Sequence, residues 1–90
     1  MAINSLLQIV VRRLQEKQAQ QKVRREQAPT EITRIDAPEK DVPKSQWHAH
    51  CPCGSGYNQD GSIHDKGKGE VTFSKKTIEW LNTHGWEIEK

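Results

Sequence analysis

The sequence predicts a small α+β module at its C-terminal end, preceded by a long N-terminal α-helix and an extended linker. Apolar residues recur at helical spacing near the start of the chain, which favours a helix. Three prolines punctuate residues 28–46, which favours an extended segment. Strand and helix patterns then follow one another in the last part of the chain. We therefore divide the chain into residues 1–27, 28–46 and 47–90.

The composition limits how the module is stabilised. The chain has 90 residues, of which 32% are hydrophobic and 29% are charged. A chain of this length with so little apolar material buries only a modest core. Proteins in this class are usually stabilised by disulfides, by a bound metal or by a partner.

The N-terminal helix is predicted over residues 4–27, with Asn4 or Ser5 as its cap and Pro29 after its end. Its first half carries an apolar stripe, and its second half is largely polar. The stripe is expected to pack against the module, against a second copy of the chain or against another protein. Its residues are Ile3, Leu7, Val10 and Leu14.

Basic residues concentrate in the same helix, although the net charge of the chain is only +2. A basic arm can attract nucleic acid or an acidic surface. Nucleic-acid binding is therefore an alternative function, and a lysine-containing loop in the module could add to it. The candidate contacts are Arg12, Arg13, Arg24, Arg25, Lys66 and Lys68.

The linker, residues 28–46, is predicted to be extended because of its prolines. Ile32 and Ile35 are its main large apolar residues, and we expect them to anchor the arm on a partner. An unattached tether is the alternative. The short apolar start of the chain is broken by polar residues, so no membrane span and no targeting signal are expected.

The module is predicted to contain strands at residues 46–51, 70–73 and 86–88, with a helix over 75–84. Ser74 can cap this helix, and Gly85 can end it in a left-handed conformation. A loop rich in small and polar residues fills positions 54–69. The expected core consists of Val71, Phe73, Ile78, Trp80, Leu81, Trp86 and Ile88.

Residues 48–53 contain both cysteines and two of the four histidines. Thiolate and imidazole are zinc ligands, and two cysteines one residue apart form a strained disulfide, so we predict a structural zinc and a reducing compartment. In a strand, His48 and His50 share one face while the cysteines point to the other. We expect Cys51 and Cys53 to bind the ion first, followed by His64 and one of His48 and His50.

Residues 51–56, Cys-Pro-Cys-Gly-Ser-Gly, resemble the first half of the SEC-C zinc motif, which is found at the end of the bacterial preprotein translocase motor. The resemblance implies zinc at Cys51 and Cys53 and docking onto partner proteins. The second half of the motif departs from the family, because Ser62 and Ile63 occupy the positions of its second ligand pair. His64 lies one position further along.

These observations predict a non-enzymatic, zinc-stabilised accessory subunit or interaction module. No sequence pattern of a catalytic metal site is present. The partner is expected to be a larger protein assembly or further copies of the chain, and a phage particle (virion) is the concrete case that an arm, a linker and a small module suggest by analogy. The expected origin is cytoplasmic. The alternative is a nucleic-acid-binding zinc regulator.

Overall fold

The computed structural model describes residues 15–89 as a small α+β fold with two helices and a four-stranded antiparallel sheet. Helix α1 is described over residues 15–24, and helix α2 spans Lys75–Asn82. The strands are β1 (Arg34–Asp36), β2 (His48–His50), β3 (Gly56–Asn58) and β4 (Ile63–His64). A short 3-10 turn follows at Lys66–Lys68. The strands lie in chain order, so the sheet is a simple meander.

Helix α1 ends earlier than the predicted position 27. The Gln27 N–H donates to the carbonyl of Lys22 at 2.7 Å, and the Glu26 N–H donates to that of Val23 at 3.1 Å. Glu26 has a φ of 58°, so the chain leaves the helix in a Schellman motif before Pro29 is reached. Positions 4–14 of the predicted helix lie outside the described residues, as does the apolar stripe of Ile3, Leu7, Val10 and Leu14. A long N-terminal helix therefore stays a prediction.

The predicted linker contributes to the fold, because strand β1 forms within it. The Thr33 N–H donates to the carbonyl of His50, and Ile35 lies opposite Ala49 in the antiparallel pair. Ile32 and Ile35 are 4% and 3% exposed in the chain's own core, which corrects their assignment as partner anchors. Their burial is favourable because it removes large apolar side chains from water.

The core lies on one face of the sheet. Ile35, Ala49 and Tyr57 are buried there and belong to the same cluster as the buried residues of both helices and of the C-terminal segment. Of the predicted core residues, Phe73, Ile78, Leu81, Trp86 and Ile88 are buried, whereas Val71 and Trp80 are partly buried.

The C-terminal part differs from the prediction in its strands. Ser74 caps helix α2 and Gly85 has a φ of 103°, as expected. Residues 70–73 and 86–89 form no strand in the described chain. The side chain of Asn82 accepts from the Ile88 N–H at 2.8 Å and donates to the Ile88 carbonyl at 2.9 Å. The side-chain amide of Asn82 therefore satisfies the backbone N–H and carbonyl of Ile88, which a neighbouring strand would otherwise bond.

Helices in the described part of the chain do not combine the length and apolar character needed to cross a bilayer.

Candidate metal centre

The register of the sheet brings three histidines to the face opposite the core. Directly paired residues of antiparallel strands share a face, and alternate residues of one strand do so too. His48 and His50 on β2 therefore point away from Ala49, which faces the core. His50 pairs with Gly56 of β3, and Gly56 pairs in turn with His64 of β4. The three imidazoles consequently lie on one side of the sheet.

Gly56 occupies the position between His50 and His64 in this cross-strand row. It has no side chain, so nothing projects from β3 between the two rings. A Cβ added at this position would lie 2.1 Å from the backbone oxygen of Ala49. The close approach of β2 and β3 therefore requires glycine here, and the same residue leaves the space that the histidine rings use.

The ring nitrogens of His48, His50 and His64 lie within 4.8 Å of one another. The rings of His48 and His64 are stacked with their centroids 3.9 Å apart, and His50 meets both of them edge-on. The side chains of His48 and His50 are 4% and 5% exposed, while that of His64 is 26% exposed. The three histidines are close enough to hold one metal ion.

Backbone carbonyls orient the two buried rings. Nδ1 of His48 lies 2.8 Å from the carbonyl oxygen of Gln46, and Nδ1 of His50 lies 3.3 Å from that of Gly54. Since a carbonyl oxygen only accepts hydrogen bonds, each Nδ1 carries the proton and each neutral ring presents an unprotonated Nε2. A metal-binding histidine is commonly oriented in this way by a bond from its other ring nitrogen.

The environment of His50 favours the neutral form of its ring. Burial lowers the pKa of its ring below the ordinary value of histidine, since removal from water penalises the charged form. Its Nε2 is buried and makes no hydrogen bond within the described part of the molecule. A buried polar atom that makes no hydrogen bond is costly, and a bound cation would satisfy it.

Cys51 and Cys53 contact each other and lie apart from the three histidines. The structure joins them in a disulfide within the turn after β2, and Cys51 is 5% exposed in the core cluster. A disulfide sulfur is not a thiolate, so in this state the pair offers no strong metal ligand. Strand alternation accounts for the separation of Cys51 from the histidines. Zinc binding by the reduced cysteines stays a prediction.

Asp36 is the neighbouring residue that the sequence analysis missed. It pairs with His48 across β1 and β2, and its Oδ2 lies near the Nε2 atoms of both buried histidines. The sequence predicts a linker at residues 28–46 and gives no signal for strand β1, which forms within it. With a strand at 34–36, alternation would have placed Ile35 towards the core and Asp36 on the opposite face.

The basic residues proposed for nucleic-acid contact are dispersed. Arg24 and Arg25 lie at the end of α1, and Lys66 and Lys68 lie in the 3-10 turn. All four are exposed, and the Nζ of Lys68 lies 3.5 Å from Oδ2 of Asp65. Arg12 and Arg13 lie outside the described residues.

Comparison with protein families, curated proteins and solved structures finds no match for this chain. The resemblance of residues 51–56 to the SEC-C motif therefore receives no support from a family match. The histidine cluster is interpreted from its own geometry.

Proposed function

We propose that this chain is a small metal-binding module in which one ion, zinc, stabilises the fold. The observation that supports the proposal is the cluster of three imidazoles on one face of the sheet, with ring nitrogens within 4.8 Å of one another. Imidazole is a preferred ligand of zinc and of neighbouring divalent transition metals. The ion would join His48 and His50 of β2 to His64 of β4.

A structural role accounts for the position of the site. Strands β1, β2 and β3 have three residues each and β4 has two, so few backbone hydrogen bonds hold the sheet together. An ion bound between β2 and β4 would hold the meander at both sides of β3. Because a preformed site is rare in an unfolded chain, the binding free energy would add to the free energy of unfolding.

The wider role remains as the sequence predicted it. We propose a non-enzymatic accessory subunit or interaction module of a larger assembly, and this proposal rests on the layout predicted from the sequence, a helical arm joined to a small module. A virion component, an origin in the cytoplasm and nucleic-acid binding through the basic residues stay predictions. The contacts of the described residues favour none of them over another.

Metal analysis of the purified chain tests the proposal. We expect one zinc ion per chain, and a thermal unfolding midpoint that falls when a chelator removes it. His50→Ala should abolish stoichiometric binding. His84→Ala is the control, because His84 is a partly buried histidine outside the cluster that contacts Lys22 of α1 and Trp80 of α2. This control variant should keep its zinc.

The same experiment separates the histidine site from a thiolate site. The variant Cys51→Ser with Cys53→Ser should bind zinc like the parent chain, since the proposed ligands are imidazoles. Retention of zinc by His50→Ala, or its loss only in the cysteine variant, would contradict the proposal. A parent chain that binds no metal and ignores the chelator would contradict it as well.

A further inference from the structure

A carboxylate reaches the histidine cluster from the neighbouring strand. Asp36 is the last residue of β1 and lies opposite His48 in the antiparallel pair. Its Oδ2 lies 3.3 Å from Nε2 of His50 and 3.7 Å from Nε2 of His48. Strand β1 therefore contributes an oxygen to the face on which β2 and β4 place their imidazoles.

These distances match the spacing of ligand atoms around one ion. Zinc binds histidine nitrogen and carboxylate oxygen at about 2.0–2.2 Å, so two ligands of a tetrahedral ion are separated by roughly 3.3–3.5 Å. The separation of Oδ2 from the His50 nitrogen lies at this value, and that from His48 is slightly longer. The carboxylate would have to move towards His64 to share an ion with all three histidines, because only the ligand atoms of His48, His50 and His64 all lie within 4.8 Å of one another.

The charges at this place also favour a cation. The Nδ1 atoms of His48 and His50 face backbone carbonyls, so their Nε2 atoms carry lone pairs in the neutral rings. These lone pairs face the carboxylate oxygen of Asp36, to which the guanidinium of Arg34 also donates.

Arg34 holds the carboxylate in position. Its Nε donates to Oδ2 of Asp36 at 2.9 Å, and the two residues are on the same strand face. Metal-binding carboxylates commonly have such an outer hydrogen bond, which fixes their orientation. The Arg34 side chain is 64% exposed and that of Asp36 is 39% exposed, so this side of the cluster is its solvent-facing edge.

A second carboxylate provides a contrast. Oδ2 of Asp65 lies 3.5 Å from Nε2 of His64, and the same oxygen lies 3.5 Å from Nζ of Lys68. It therefore approaches one histidine of the cluster, whereas Asp36 approaches the two buried ones. The side chains of Asp65 and Asp36 have nearly equal exposure, 38% and 39%.

We propose that Asp36 is the fourth ligand of the metal site, so that three imidazoles and one carboxylate enclose the ion. This inference rests on the proposed function, because it assigns a further residue to the same site. Four protein ligands leave no open coordination position, which is the arrangement of structural zinc sites. The carboxylate also offsets one of the two positive charges of the ion and favours a divalent cation over Cu(I).

Metal titration of the full chain with Asp36→Asn tests the assignment. Zinc affinity, measured by competition with a chromophoric chelator, should fall at least about tenfold, since a charged ligand is lost. Cobalt(II) serves as the spectroscopic probe. The parent chain should show the intense visible absorption of a tetrahedral four-ligand complex, and Asp36→Asn should show a weaker, altered band.

Two further variants complete the test. Asp65→Asn is the matched control and should bind zinc within about twofold of the parent chain, because a carboxylate at similar exposure is removed without loss of a ligand. Asp36→Glu keeps the carboxylate and should recover part of the affinity. Circular dichroism of each metal-free variant checks that it folds. If Asp36→Asn is unfolded, the zinc affinity of Asp36→Glu is compared with that of the parent chain instead.

The outcomes separate the two proposals. If the parent chain binds no zinc, both are overturned. If it binds zinc and Asp36→Asn matches its affinity and cobalt spectrum, only the assignment of Asp36 is wrong. Equal losses of zinc affinity in Asp36→Asn and Asp65→Asn would also overturn the assignment. They would show that each carboxylate acts only through its negative charge near the site and that neither is a ligand. An Asp36→Glu variant that is folded but no better than Asp36→Asn would count against it too.

Discussion

The two faces of the four-stranded sheet are stabilised by different means. On the core face, Ile35, Ala49 and Tyr57 are buried among apolar residues and gain free energy by leaving water. On the opposite face, His48 and His50 are just as buried, yet Nε2 of His50 makes no hydrogen bond within the described residues. Burial of apolar groups stabilises the first face, whereas the second buries a polar atom that makes no hydrogen bond.

The same short strands build both faces. Strands β1 to β4 alternate between the faces, so the short segments that build the core also carry the histidines and Asp36. Each face therefore helps to set the register of the other, since a shift of one residue would exchange their side chains. The predictions below test how independent the two faces are.

Leu81→Ala should have the largest effect, because Leu81 is fully buried in the core. Truncation removes apolar contacts and leaves a cavity, which typically costs about 2–5 kcal/mol in the free energy of unfolding. Urea unfolding should show this loss equally in the zinc-loaded and the zinc-free chain. A matched substitution at the exposed Val42, Val42→Ala, should change stability by less than about 0.5 kcal/mol.

Zinc affinity measured on the folded Leu81→Ala variant completes this test. We expect it to remain close to that of the parent chain, because Leu81 belongs to the core cluster and not to the histidine face. A tenfold loss of affinity would show that the two faces are strongly coupled.

His50→Leu should separate the zinc-free and zinc-loaded chains. Without metal, the substitution should change the free energy of unfolding by no more than about 1 kcal/mol, because it replaces a buried ring that has an unsatisfied nitrogen. The increase in the free energy of unfolding that zinc gives the parent chain should disappear. This increase is about 2.7 kcal/mol when free zinc is 100 times its dissociation constant. Urea unfolding with zinc and with chelator measures both values.

A His50→Leu variant that loses several kcal/mol in the presence of chelator would contradict this comparison. It would mean that the histidine face is stabilised by the ring itself and does not depend on an ion.

Glu31→Gln should have the smallest effect, because Glu31 lies at the N-terminus of α2 and belongs to neither face. Its carboxylate accepts from the side-chain hydroxyls of Thr77 and Ser74 and from the Ser74 N–H, and these bonds lower the pKa of Glu31. Loss of the charge should cost about 0.5–1 kcal/mol at neutral pH, since the group is well solvated.

The pH dependence of this contribution follows from the lowered pKa. The folded chain binds a proton at Glu31 less readily than the unfolded chain does. The stabilisation by Glu31 is therefore complete at pH values above its pKa in the unfolded chain, which is about 4.3. The stabilisation is lost as the pH falls through the lower pKa that Glu31 has in the folded chain. The difference in stability between the parent chain and Glu31→Gln, measured by urea unfolding from pH 7 to pH 3, should therefore shrink below about pH 4. A difference that stays constant or grows would contradict the role of the ionised carboxylate.

Local signals in the sequence were sufficient for helix α2 and for the histidines. Ser74 and Gly85 mark the two ends of the helix through capping and a left-handed residue, both of which depend on near neighbours. The pattern His-Ala-His places two imidazoles on one strand face whatever the rest of the fold does. The shared face of His48 and His50 was accordingly within reach of the sequence, whereas the approach of His64 depends on strand pairing.

Tertiary contacts decided the remaining features. A strand at 34–36 has no strong signal of its own among prolines and charges, and it exists because β2 supplies its hydrogen-bond partners. Residues 86–89 alternate like a strand, but Asn82 and Gln59 occupy their backbone groups. The position of Asp36 beside the histidines likewise follows from pairing across strands.

The sequence by itself thus determined that residues 48–64 hold a dense set of metal-ligand side chains on a small α+β module. Only the tertiary structure decided that the histidines gather on one face while Cys51 and Cys53 pair with each other, and that Asp36 lies beside the histidines. The physical reason is that helix caps and strand alternation depend on neighbouring residues, whereas sheet register joins residues far apart in the chain.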